Sequence, residues 1–183
     1  GVPLAAAGAS RIRGGATADH LDHARRTRPD AMCANYQPVT AQDRLLQHFG
    51  VQRPRDEVPP EIYPGALAPF VVRAAERAVL ARDAGLGLFG LLPHWAKDLA
   101  FGRRTYNARS ETVHEKPSFR DAWRQRRRCI VPVEAVYEPN WETGRAVRWR
   151  IARRDGQPMG IAGLWGRWRG PDGRDWLSFT MLT

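Results

Sequence analysis

Lysine is nearly missing from this chain: of its 29 basic residues only Lys97 and Lys116 are not arginine. Against 19 acids this leaves a formal net charge of +10 and an isoelectric point near 10.8. Arginine forks onto phosphate, so a polyanionic partner is the leading inference. A base composition rich in G and C raises Arg, Ala, Gly and Pro together, and it explains the same excess without a partner. Cysteine is also scarce. Cys33 and Cys129 are too few for a disulfide scaffold and fit a reducing cytoplasm. No Cys/His spacing suits zinc, no glycine loop suits a nucleotide phosphate, and no internal repeat is present. No metal or cofactor is therefore expected. No apolar run reaches the roughly 18 residues that a membrane span needs. The apolar opening Gly1 to Ser10 lacks a basic start and makes a poor signal peptide.

What is present centres on Tyr106 to Thr112, which packs an amide, a guanidinium, a carboxylate, a phenol and two aliphatic hydroxyls into seven residues. Asn107, Arg109 and Glu111 alternate with Ala108 and Ser110, so an extended segment would turn the three large polar groups to one side. A solvated strand edge accounts for such a run as well, but two neighbours favour chemistry. Upstream lies Met32-Cys33, and downstream an apolar strand ends in Tyr137-Glu138. A nucleophile, a phosphate-sized cation and a carboxylic acid make a reactive site if folding brings them together.

Residues 1–31 carry almost no large apolar side chains and are expected to be a disordered extension or sequence ahead of the true start. Met32 reads as an internal initiator whose removal would leave Cys33 with a free α-amine. A domain over 32–183 follows. Asp43 to Phe49 predicts a short amphipathic helix, with Leu45, Leu46 and Phe49 as its apolar residues. Ser118 to Gln125 predicts another, with Ser118 as N-cap. Strands are expected at 68–72, 86–92, 129–133, 146–152, 160–164 and 176–182, while 73–84 reads equally as helix or hairpin. Trp95, after the Pro93-His94 turn, is a candidate aromatic platform or an ordinary core tryptophan. Cys129 reads as a small hydrophobe. The fold class is α+β, mainly β: a mixed, mostly antiparallel sheet or open barrel with a few short helices.

Taken in order, these segments resemble the SOS response-associated peptidase (SRAP) family. The resemblance runs from Met32-Cys33 through Leu88 to Trp95, then Asn107 to Thr112, then Arg128 to Pro132 with Tyr137-Glu138. It closes on Ser178 to Thr183. It implies a β-rich, barrel-like domain that recognises abasic sites in single-stranded DNA and captures them covalently through an amino-terminal cysteine. Position by position, Cys33 matches the reactive cysteine, Asn107 and Arg109 the DNA-contacting pair, and Glu138 the catalytic glutamate. Asn107 would hold the sugar or the amine, and Trp95 joins the DNA-binding set as the platform. The expected setting is a monomer in the cytoplasm, at the nucleoid, in the response to DNA damage.

Three departures stand out. Asn35 occupies a position that is commonly arginine, and Pro139 follows Glu138 where tryptophan is frequent. The histidine motif has no counterpart among the five histidines here. The resemblance implies that the histidine and at least one more strand lie past Thr183. On that ground residues 176–182 are expected to form an unpaired apolar edge, and the chain as written to be poorly soluble and inactive.

The implied chemistry needs these groups. An abasic deoxyribose opens to an aldehyde, and a free α-amine, with a reference pKa of about 7.7–8.0, condenses with it as an imine. Only an amino-terminal cysteine then offers a thiol at the right distance to close a five-membered thiazolidine. The same site would hydrolyse the peptide bond ahead of Cys33, the peptidase aspect of the family. Two alternatives stay open: a passive single-strand DNA-binding module, and a cysteine peptidase acting on other proteins.

Overall fold

The computed structural model describes residues 35–74 and 82–183, all within one unit, Ala31–Thr183. The expected disordered extension over 1–31 and the placement of Cys33 lie outside the described residues. The helix-or-hairpin alternative at 73–84 is described only in part: β2 ends at Arg73, and residues from Arg82 are already strand.

Eight strands are described: β1 (Asn35–Pro38), β2 (Leu67–Arg73), β3 (Arg82–Phe89), β4 (Asn107–Ala108), β5 (Arg128–Asn140), β6 (Val147–Ile151), β7 (Met159–Arg169) and β8 (Asp175–Leu182). Two short helices accompany them, α1 (Gln42–Phe49) and α2 (Arg120–Arg124), with a 3-10 turn at Leu99–Arg104. The expected mixed, mainly antiparallel sheet is what forms. Pairing runs from β5 through β2, β3, β8 and β7 back to β5, with β3–β8 and β4–β8 parallel. The β2–β5 and β3–β8 joints have two residue pairs each, so the circuit is not a clean barrel.

β5 is the spine. Its run Cys129-Ile130-Val131-Pro132-Val133 is rich in β-branched residues, which suit a pleated, packed surface. It pairs with β1, β2, β6 and β7 along its length. Pro132, which has no N–H to give, still accepts a hydrogen bond from the Val39 N–H at 3.2 Å. The expected strand end at Tyr137-Glu138 is passed: β5 continues to Asn140 because β6 supplies a partner there. Aromatic rings fill the interior. Phe179 stacks on Phe70 and on Phe89, each at 5.4 Å between centroids, and Tyr36 meets Phe89 edge-on at 5.2 Å.

Several local expectations change. α1 buries Leu45 and Phe49 but leaves Leu46 exposed. It stops at Gly50, whose left-handed φ of 69° caps the helix. α2 starts later than expected, with Phe119 at the N-cap position and no side-chain cap; Ser118 does not fill that role. β8 is not an edge: β7 flanks one side, and β3 and β4 share the other. The parallel neighbours that cover it come from residues 88–89 and 107–108, a long-range pairing that no local pattern announces.

Cys129 is a small core residue, 5% exposed, with its Sγ 2.8 Å from where a Cβ on Gly163 would stand. Burial pushes its thiol well above the usual cysteine range, so it stays protonated and inert. A thiol reagent at pH 8 should therefore leave Cys129 unmodified in the native protein and modify it in urea. Cys129→Ala should cost roughly 1 kcal/mol by urea titration. Modification of native Cys129 at the rate of a free thiol would contradict this.

Candidate active site and nucleic-acid face

The first described residue of β1, Asn35, is buried and lies across from Tyr137 on β5. Its amide Nδ2 donates to Glu61 Oε2 at 3.0 Å. The same oxygen accepts from the Tyr63 hydroxyl at 3.0 Å and from Arg148 Nη2 at 2.7 Å. The Arg148 hydrogen bond, with help from Tyr63 and Asn35, holds the Glu61 carboxyl below the usual carboxylate range. The Tyr63 hydroxyl, donating to that carboxylate, is shifted upward. The Arg148 guanidinium also lies 3.7 Å from the centre of the Tyr137 ring.

Glu61, Tyr63 and Arg148 went unnoticed in the sequence. Glu61 follows a proline-rich loop and Tyr63 begins a Tyr-Pro-Gly turn, so both read as connection. The cluster joins residues 35, 61 and 148, brought together by the β1–β5–β6 pairing and by the antiparallel bridge between Tyr36 and Ile62.

Glu138 is half-buried on β5, one residue beyond the partner of Asn35, and pairs across the strands with Trp149 of β6. Asn107 is half-buried in β4, opposite Met181 of β8. The preceding Tyr106 packs edge-on against Phe89, 5.7 Å between centroids, and that ring also receives Tyr36. Residues next to Asn35 and next to Asn107 thus converge on one core phenylalanine. Arg109 is exposed just past β4.

The expected one-sided row Asn107, Arg109, Glu111 does not form. β4 is only two residues long, and the chain enters a turn at Ser110, leaving Glu111 exposed outside any strand. Ser110 N–H is held instead by the Thr183 carbonyl at 2.9 Å. Trp95 is 44% exposed, edge-on to Phe101 at 5.0 Å, in a recess that Lys97 and Arg104 also line. At that exposure Trp95 is not an ordinary core tryptophan. In the basic run after α2, Arg128 stacks 3.9 Å from the Trp123 ring centre and Arg127 lies 5.6 Å from that of Trp165. Among the described residues there is no group of three or more His, Cys, Asp or Glu that could hold a metal ion. Nor is any helix among them long and apolar enough to cross a membrane.

Fold and site together define a β-rich domain with a carboxylate beside the start of its first strand and arginine-rich exposed faces. The sequence pattern of the SOS response associated peptidase (SRAP) family matches residues 32–183, and the chain belongs to that family. The abasic site processing protein YoqW of Bacillus subtilis is 29% identical over 160 residues, covering 83% of this chain and 68% of that protein. The yeast abasic site processing protein YMR114C is 31% identical over 99 residues, 52% of this chain and 25% of its own length. A crystal structure of a protein from Bordetella bronchiseptica matches with a TM-score of 0.73 at 40% identity, over 82% of this chain and 71% of that one. One from Bacteroides thetaiotaomicron shares the fold, with a TM-score of 0.67 at 21% identity, over 82% and 67%.

Proposed function

We propose that this protein processes abasic sites in single-stranded DNA by covalent capture at Cys33, in the cytoplasm and as part of the response to DNA damage. The observation that supports this reading most is the register of β1 on β5. Asn35 faces Tyr137, whose neighbour is Glu138. Cys33 is two residues before Asn35. Two residues of chain span at most about 7 Å, so this register allows Cys33 and Glu138 to serve one site. Relatives named as abasic site processing proteins lend the substrate class.

In the proposed reaction the α-amine of Cys33 adds to the ring-opened aldehyde and water leaves as the imine forms. The cysteine sulfur then adds to the imine carbon, and the nitrogen takes up the proton, closing the thiazolidine. Glu138 passes protons to and from the sugar oxygen and the amine in these steps. Asn107 orients the sugar or the amine, Arg109 grips a flanking phosphate, and Trp95 offers a ring to a base. The amine must be free, so the peptide bond between Met32 and Cys33 has to be cleaved first. Hydrolysis of that bond is the peptidase side of the same site.

A chain beginning at Cys33, incubated with abasic and intact oligonucleotides and run on a denaturing gel, should give a heat-stable shifted band with abasic DNA only. Glu138→Gln, which keeps the side chain's size, should slow the band's appearance about a hundredfold. It should leave affinity for intact DNA unchanged. No band, or equal rates for the two proteins, would remove covalent capture or the role of Glu138 respectively.

A further inference from the structure

We infer that the β5–β6 hairpin is a wall along which single-stranded DNA lies, with Trp149 as a base-stacking platform beside Glu138. The inference rests on the abasic-site reading above and adds to it a binding surface. Four large apolar side chains that stay exposed, Trp141, Val147, Trp149 and Ile151, fall within this one hairpin. Trp149 is 50% exposed. Glu138 and Trp149 are direct partners across the antiparallel pair, so their side chains stand on the same face, with Cβ atoms about 5 Å apart. The rows on either side on that face are Val136 with Ile151 and Asn140 with Val147.

The other face of β6 carries Arg148 and Arg150. Residues 141–155 hold five arginines, Arg145, Arg148, Arg150, Arg153 and Arg154, against two acids, Glu142 and Asp155. A strand exposed along its whole length, with aromatic and aliphatic groups on one face and cations on the other, has the two parts of a single-strand binding groove. Bases stack on the rings while phosphates meet the cations. An apolar protein partner fits less well, because covering this strand would desolvate the arginines that alternate with its apolar residues. Bound this way, the base on Trp149 belongs to a nucleotide adjoining the sugar at Glu138.

The test uses the full chain and a fluorescein-labelled oligothymidylate without any abasic site, read by anisotropy across a salt series. Trp149→Ala should weaken binding about tenfold without changing the salt slope, because stacking is lost and the phosphate contacts stay. Trp149→Phe should restore most of the affinity, and Trp149→Leu should not. Equal affinity of Trp149→Ala and wild type, or rescue by leucine as good as by phenylalanine, overturns the proposal. So does a wild-type dimer that Trp149→Ala dissolves. Running an abasic oligonucleotide in parallel, with wild-type and Trp149→Ala chains that begin at Cys33, separates the two ideas. Adduct formation with no Trp149 effect sinks the platform alone, and a Trp149 effect with no adduct sinks covalent capture alone.

Discussion

Cys33→Ala should abolish the heat-stable adduct with an abasic oligonucleotide, a loss limited only by the detection of the gel, while salt-sensitive binding to intact DNA persists. The two readouts separate because phosphate contacts dominate affinity, whereas the covalent step needs a thiol two carbons from a free amine. Cys33→Ser sharpens the case. It keeps the amine, so borohydride should still trap an imine, but a serine oxygen is a poor substitute for sulfur in the ring, and the untrapped product should hydrolyse on heating. Lysine side chains cannot rescue either variant, because an ε-amine has no neighbouring thiol to close a five-membered ring. A heat-stable adduct from Cys33→Ala would mean that another nucleophile captures the sugar. Cys129 could not be that nucleophile, since burial keeps its thiol protonated.

The largest structural effect should come from Gly90→Ala. Gly90 has φ of 135°, and a Cβ there would stand 2.0 Å from the carbonyl oxygen of Gly102 and 2.4 Å from its carbon. Both obstacles are backbone, so no side chain can swing aside. Gly90 N–H donates to the Phe179 carbonyl at 2.8 Å, and Leu91 N–H to that of Thr105 at 3.1 Å. The crossing therefore ties β3, β8 and the approach to β4 together at one point. Separating these strands should cost more than about 3 kcal/mol, and Gly90→Ala should be largely unfolded or insoluble. Gly156 is the control: its φ is 70°, yet nothing lies within 4 Å of an added Cβ. Gly156→Ala should lose only about 1 kcal/mol, from the left-handed backbone alone. Equal urea midpoints for the two variants would refute the argument from close approach.

Much of the fold was legible because the signals were local. The β-branched run after Arg128 announced a buried strand, and Leu45 with Phe49 announced α1. The expected strands at 160–164 and 176–182 fall within β7 and β8. The misreadings in the sheet share one cause. The row Asn107, Arg109, Glu111 alternates as a strand should, but alternation does not say how far a partner extends. β8 offers β4 pairing only at Met181 and Leu182, so the row breaks after Ala108. Likewise the apolar run 176–182 could be read as an edge, because parallel partners from residues 88–89 and 107–108 leave no mark on its own sequence.

The chemistry-bearing residue types were determined by the sequence alone: a thiol at Cys33, a carboxylate at Glu138, the amide and guanidinium of Asn107 and Arg109, and an aromatic at Trp95. Which groups meet was decided only by tertiary structure. The pairing of β1 with β5 sets Asn35 beside the strand that carries Glu138. The pairing of β5 with β6 brings Arg148 onto Glu61 and sets Trp149 opposite Glu138. Side-chain chemistry is a property of one residue, and local pattern reaches only a few residues along the chain. Register between strands is settled by the whole core at once, because slipping it by one residue would exchange the buried and solvent faces of every strand involved.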